Sequence, residues 1–216
     1  MQKRKENNVE KNLLKQNENR SKAVSVLWGV FWIFVMVIID QLTKLVADAY
    51  LKEKVIDIIP GWISLRLTYN QGIAYGQLSD VDVWVKMLII AATGVLMLVF
   101  AIVYMRLDVR RSLLRAALVM VVAGGIGNLI DRVYFQVWDP NALYGVRDMV
   151  DLSRFGFAVC NFADFFICIG AALLVLSILF FDKDALFPVG KYKALALEYE
   201  LAEQKEQEAD ERLETY

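Results

Sequence analysis

Apolar positions fall into four long runs separated by polar and charged segments. Ala23–Ile39 (17 residues), Met87–Met105 (19) and Phe165–Phe181 (17) carry no charge, and Ala116–Ile130 adds a fourth run of 15. Crossing a hydrocarbon core takes about 20 mostly apolar residues. Lys86 and Arg106 bracket the second run and are long enough to snorkel to the two interfaces. Leu113 and Leu114 lengthen the third if Arg115 does the same. Four membrane helices are expected, ending the first at Asp40, the third near Asn128–Arg132, and starting the fourth after Asp164. Between the first two, Ile63-Ser64-Leu65-Arg66-Leu67-Thr68-Tyr69 alternates with period two, and Val55–Ile59 precedes it across a Pro60-Gly61 turn. The pattern predicts an all-α membrane protein: a four-helix transmembrane bundle with a small β-rich extracytoplasmic insertion.

Orientation follows from the basic residues. Residues 1–22 carry seven Lys or Arg, and the short loop after the second run carries Arg106, Arg110, Arg111 and Arg115. The positive-inside rule puts both in the cytoplasm, so the first and third loops face outward and both termini lie inside. The first run continues into Asp40-Gln41-Leu42-Thr43-Lys44 and not into a small-residue cleavage site, so it reads as an uncleaved helix. The expected organisation is a basic extension (1–22), a membrane domain (23–182), and an acidic, possibly helical tail (183–216).

Composition narrows the chemistry. At 57% hydrophobic over 216 residues the chain is too apolar for a water-soluble globule or a disordered segment. It contains no His, which excludes Ser-His-Asp and Cys-His nucleophile pairs and His-ligated zinc. Cys160 and Cys168 imply no disulfide framework. A hydrolase built from these residues would rely on carboxylates. Two acids side by side cannot both ionise cheaply, so they share a proton; one then acts as base and the other as acid.

The expected topology gathers Asp40, Asn70, Asn128, Asp131, Arg132, Asp148, Asp151, Asn161 and Asp164 at the outer interface. Carboxylates near lipid are expensive, and such a convergence is a functional-site hypothesis. Structural roles compete with it. Asp40 can pair with Lys44 one turn on. Asp131 and Arg132 can anchor the third helix at the headgroups. Asn161 with Asp164 fits a helix N-cap. Gly124-Gly125-Ile126-Gly127 fits close helix packing.

Five segments in order, Asp40-Gln41-Leu42-Thr43-Lys44, Asn70-Gln71-Gly72-Ile73-Ala74-Tyr75, Gly124 through Arg132, Val146-Arg147-Asp148-Met149 and Asn161-Phe162-Ala163-Asp164, resemble the motif series of the lipoprotein signal peptidases (signal peptidase II) over about residues 24–182. The resemblance implies a four-helix membrane aspartic peptidase of the bacterial cell membrane, with its active site at the outer face. It would cleave diacylglyceryl-modified prolipoproteins before the lipidated cysteine. Asp148 and Asp164 would form the catalytic dyad, with Asp40, Lys44, Asn70, Gly72, Asn128, Asp131, Arg132 and Asn161 supporting it or the substrate. No metal or organic cofactor and no nucleic acid is implied; the partners are prolipoproteins and membrane lipids, and the chain is read as a monomer. Ile73 and Met149 depart from the usual pattern, at positions that bear on pocket shape. Asp151, three residues after Asp148, competes for the dyad position: an extended segment would send the two side chains to opposite faces, a helical one to the same face. Other classes open to the residues alone are a small ion-coupled carrier, which would place its carboxylates near the midplane between repeats, and a non-catalytic scaffold.

Overall fold

Each apolar run lies within one helix, apart from Phe180 and Phe181 at the end of the fourth, and the first helix extends well beyond its run at both ends. The computed structural model describes residues 2–72, 82–182, 184–199, 201 and 204, with side chains from residue 19 onward. Helix α1 spans Gln2–Tyr50, α2 Val83–Arg106, α3 Ser112–Tyr134 and α4 Phe162–Leu179. All four, α1 over Asn19–Tyr50, are long and apolar enough to cross a membrane. The centre of the bundle is α3, whose apolar window is 61% buried against 11–17% in the other three. Small residues let its neighbours approach. A Cβ at Gly124 would sit 2.4 Å from the Ala163 carbonyl oxygen, and one at Gly127 would sit 2.5 Å from Asp40 Oδ2. The glycine run therefore serves close packing.

The segment after α1 forms the expected hairpin. Strands β1 (Ile56–Ile59) and β2 (Ile63–Asn70) pair antiparallel. Trp62 N–H donates to the Ile59 carbonyl at 2.9 Å, with Pro60 second in the turn and Gly61 third at φ +77°. That is a type II turn, whose third position favours glycine. Two further strands, not anticipated, complete the sheet: β3 (Val146–Asp151) and β4 (Val159–Cys160), in order β1-β2-β3-β4, antiparallel throughout. Their apolar stretches are too short to stand out locally, and what holds β3 is its pairing with β2, across Thr68↔Asp148 and Asn70↔Val146.

Two expectations are corrected. Helix α1 does not stop at Asp40 but runs ten residues further, because Asp40 is neutralised inside the bundle and the last turns pack on the sheet: Ala47 and Leu51 bury against Met149, Leu65 and Leu67. Arg115 does not snorkel. It is 4% exposed, its Nη1 donates to the Tyr104 and Leu107 carbonyls at 2.9 and 3.0 Å, and its guanidinium lies 4.0 Å from the centre of the Tyr104 ring. It thereby closes the C-terminus of α2, whose last carbonyls have no helical partner. The tail is helical over 191–199.

With Cys160 and Cys168 replaced by Ser, we predict that an impermeant thiol reagent applied outside intact cells labels a cysteine at Asp57, on the sheet, but not one at Asp108, in the α2–α3 turn. Labelling of Asp108→Cys from outside would invert the orientation read from the basic residues.

Candidate active site

Most of the buried polar side chains among the described residues collect at one end of the bundle, where α1, the C-terminus of α3, the N-terminus of α4 and the sheet meet. Two adjoining groups can be distinguished. The deeper is ionic. Asp40, Lys44 and Asp131 are 0% exposed and Arg147 is 5% exposed. Lys44 Nζ lies 2.8 Å from Asp40 Oδ2 and 3.7 Å from Asp131 Oδ2. Arg147 grips Asp131 with two side-chain bonds, Nη2 to Oδ1 at 2.6 Å and Nε to Oδ2 at 3.2 Å, and its backbone N–H adds a third at 3.0 Å. Two acids and two bases leave the cluster formally neutral. Gln41 stitches its edges: its amide donates to Asp40 and to the Gly127 carbonyl, and its carbonyl accepts from Arg147. Asp40 Oδ1 also accepts the Ala163 N–H at 2.9 Å, which ties α1 to the first turn of α4.

The second group holds the two remaining acids, Asp148 on β3 and Asp164 on α4, in a collar of asparagines. Asn161 is the N-cap of α4 and forms a reciprocal capping box with Asp164: Asp164 N–H donates to Asn161 Oδ1 at 3.1 Å, and Asn161 N–H donates to Asp164 Oδ2 at 3.0 Å. The same Asn161 amide donates to Asp148 Oδ1 at 2.6 Å and to Asn128 Oδ1 at 3.0 Å. Asn128 donates to Asp164 Oδ1 at 2.8 Å, and Asn70 to Asp148 Oδ2 at 3.2 Å. The N-cap role and the site role of Asn161 and Asp164 are thus one geometry. Lys44 joins the two groups, donating to Asn128 Oδ1 at 3.0 Å.

Asp148 is 3% exposed, and its carboxyl is pushed up to about 7. Burial is the largest cause and the charge on Asp164 the next; the Asn161 and Asn70 amides, which favour the ionised form, do not offset them. Arg132 lies within electrostatic reach of both acids, and donates to the Asn128 and Gly72 carbonyls at 3.3 and 3.4 Å. Gly72 N–H in turn donates to Asn70 Oδ1 at 3.0 Å, which orients the Asn70 amide toward Asp148. Burial pushes the Cys160 thiol up to about 12, with the charges of Asp164 and Asp148 adding to it, so it offers no thiolate at neutral pH.

The ten residues expected to form or support the dyad fall in or against these two groups; Asp151 does not. Asp131 does not anchor α3 at the headgroups; it is wholly buried and holds Arg147. The segment carrying Asp148 and Asp151 is extended, and Asp151 turns away from the asparagines, 2.9 Å from Arg66 Nε and accepting the Ser153 N–H. Hydrogen bonds from the Ser153 backbone and side chain, with Arg66 beside them, hold Asp151 below the usual carboxylate range. Sequence reasoning missed Gln41 and Arg147, although both stand in the motifs quoted. The available signal was Arg147 itself, a cation on a strand between Val146 and Asp148 that needs a buried acid opposite. Ile73 lies outside the described residues; Met149 is buried beneath the sheet against Ala47 and Leu51, not in the asparagine collar.

Fold and cluster define a four-span helical membrane protein with a paired-carboxylate site at one end of its bundle. A family model described as signal peptidase (SPase) II matches residues 32–180, and the chain belongs to that family. A lipoprotein signal peptidase of Ectopseudomonas mendocina (strain ymp) is 35% identical over 161 residues, 71% of this chain and 90% of its own length. That of Fusobacterium nucleatum subsp. nucleatum is 30% identical over 71% of this chain and 87% of its own. A solved structure described as a bacterial membrane enzyme obtained by the in meso method shares the fold, with a TM-score of 0.59 at 24% identity over 70% of this chain and 87% of that one.

Removing one partner from a buried ion cluster strands the others. We predict that Lys44→Met lowers unfolding stability in detergent by about 3–5 kcal/mol, and that adding Asp40→Asn restores part of it. A loss within about 0.5 kcal/mol, the range of ordinary surface substitutions, would mean that the ionic group does not hold this end of the bundle together.

Proposed function

We propose that this chain is an aspartic endopeptidase that removes the signal peptide from diacylglyceryl-modified prolipoproteins by cleaving before the lipidated cysteine. Asp148 and Asp164 activate a water for the attack. The observation that carries the reading is the pairing itself: two carboxylates held by one asparagine, Asn161, with Asp148 raised to about 7. A pair of this kind titrates as a unit and holds one proton over a range of pH.

Asp148 carries the shared proton. Asp164 accepts from Asn128 and from the Asn161 N–H as a carboxylate does, and is the base. It takes a proton from water as the oxygen attacks the scissile carbonyl carbon, while Asp148 donates to the carbonyl oxygen. The resulting gem-diol collapses when its hydroxyl proton returns to Asp148 and the proton on Asp164 passes to the departing cysteine nitrogen. Both acids end as they began. Arg132, close to both, compensates charge while the proton is in transit. Asp40, Lys44, Asp131 and Arg147 touch no reacting atom in this scheme; they fix Asn128, the first turn of α4 and β3.

Depth supports the substrate class. The acids sit at the end of the bundle, where α4 begins and the sheet lies, and a lipid-anchored substrate presents its scissile bond at such an interface. Acyl chains would lie along the apolar helix faces, a transfer from bilayer to protein that gains far less than transfer from water. The outer side of the membrane, the cytoplasmic termini and the separate roles of residues 1–22 and 183–216 belong to the same proposal. Carboxylates at one end, with no midplane pair between repeats among the described residues, disfavour an ion-coupled carrier.

We predict that Asp148→Asn and Asp164→Asn each reduce single-turnover cleavage of a lipidated precursor by on the order of 10³-fold or more, with the protein still folded, whereas Asp151→Asn keeps most of its activity. A dead Asp151→Asn with an active Asp148→Asn would move the site by one strand face. The rate should also fall as pH rises through about 7, where Asp148 loses its proton; a profile flat from pH 6 to 8 counts against the assignment. Because folding raises this carboxyl from its ordinary 3.8, the contribution of Asp148 to stability falls as pH climbs from about 4 to about 7. Asp148→Asn escapes that penalty and should be the more stable protein at pH 8, measured by thermal unfolding.

A further inference from the structure

At the other end of the bundle lies a second polar feature that the cleavage reaction does not use. A groove of about 480 Å³ opens between α1 and α3, lined among others by Trp28, Trp32, Met36, Ser112, Arg115 and Ala116. From Arg115 to Asn128 is thirteen residues of α3, or about 20 Å along its axis, so the groove is remote from the paired acids. Its lining is largely apolar apart from Ser25, Ser112 and Arg115.

Arg115 is the anomaly. Its guanidinium is buried, its Nη1 donates to two neutral carbonyls, and Nη2 is a buried nitrogen with no hydrogen-bond partner among the described residues. Among the described residues no carboxylate pairs with it: Asp182 and Asp184 are taken by Arg111, and Asp108 accepts the backbone N–H of Arg110. A buried cation held only by carbonyl dipoles and a tyrosine ring is poorly compensated, and in a low-dielectric setting the missing anion is worth more than it would be in water. The start of α3 has no acid in its first turn and no side-chain cap, so an anion there would also meet the positive end of its dipole.

We propose that this groove binds an anionic phospholipid of the inner leaflet, its phosphate over the Arg115 guanidinium beside the Ser112 hydroxyl and an acyl chain along Trp28, Trp32 and Met36. The source is a membrane lipid, because the anion's neighbours are apolar side chains of membrane-spanning helices. Trp28 and Trp32 are 58% and 49% exposed on the outer surface of α1, where a chain can enter sideways. By the distribution of Lys and Arg this end faces the cytoplasm, and a basic pocket between helices on that side suits an acidic headgroup.

The test is native mass spectrometry of the full chain, purified in detergent, stripped of lipid and titrated with phosphatidylglycerol or phosphatidylcholine of identical chains. The wild type should retain phosphatidylglycerol about tenfold more tightly, the order of one charge-assisted pair. That preference should vanish in Arg115→Met, which removes the cation, and in Ala116→Phe, which fills the groove and keeps it. If Arg115→Met does not fold, Ala116→Phe decides alone. Equal retention of the two lipids by the wild type, or a preference unchanged in a folded Ala116→Phe, overturns the proposal. So does inorganic phosphate that displaces phosphatidylglycerol at equal concentration, which would make this a site for the free anion.

Discussion

A neutral quartet of buried ions, Asp40, Lys44, Asp131 and Arg147, is the constraint on which the rest of the structure depends. Each charge would be prohibitive alone at this depth, and each is tolerable because the others lie within bonding distance. Satisfying them requires four segments to meet: α1 supplies Asp40 and Lys44, α3 supplies Asp131, β3 supplies Arg147, and the first turn of α4 donates the Ala163 N–H. Bundle and sheet therefore share one interior. Gly127 completes the arrangement, since any side chain there would occupy the place of the Asp40 carboxyl.

The paired acids are a consequence of that convergence. Asp148 follows Arg147 on β3, so docking Arg147 on Asp131 turns its neighbour to the opposite face of the strand, toward Asn161 and Asn70. Asp164 is set by the capping box of α4, whose first turn is in turn held by Asp40. Lys44 reaches from the quartet to Asn128, the asparagine that bridges to Asp164. A separation of labour results: the ions provide rigidity, and the neutral asparagines provide hydrogen bonds without adding charge, which leaves the repulsion between the two acids to act on Asp148.

What could be read from the sequence was whatever depends on neighbours in the chain. The four apolar runs, the period-two alternation of β2 and the Pro60-Gly61 turn are local signals, and each appears where expected. The ordered motifs marked the acids and asparagines that meet in space, because the resemblance already carried that long-range information. Features set by distant partners were not legible. Asp40 looked like the end of a helix because a charge normally marks the interface; its compensation by Lys44 and Ala163 let α1 continue. Arg115 looked like a snorkelling residue, yet the carbonyls at the end of α2 drew it inward. Strands β3 and β4 have little apolar alternation of their own, and only pairing with β2 defines them. The choice between Asp148 and Asp151 turned on that same point, since an extended backbone separates residues three apart.

Asp148 holds its proton because it is buried and because the charged Asp164 lies beside it. Infrared titration of the carboxylic acid band in the detergent-solubilised protein tests this directly. The account predicts a band present at pH 6 that fades as pH rises through about 7, is missing in Asp148→Asn, and in Asp164→Asn disappears at a lower pH because the like charge has gone. A band unchanged in Asp148→Asn, or a transition that does not move in Asp164→Asn, would contradict it.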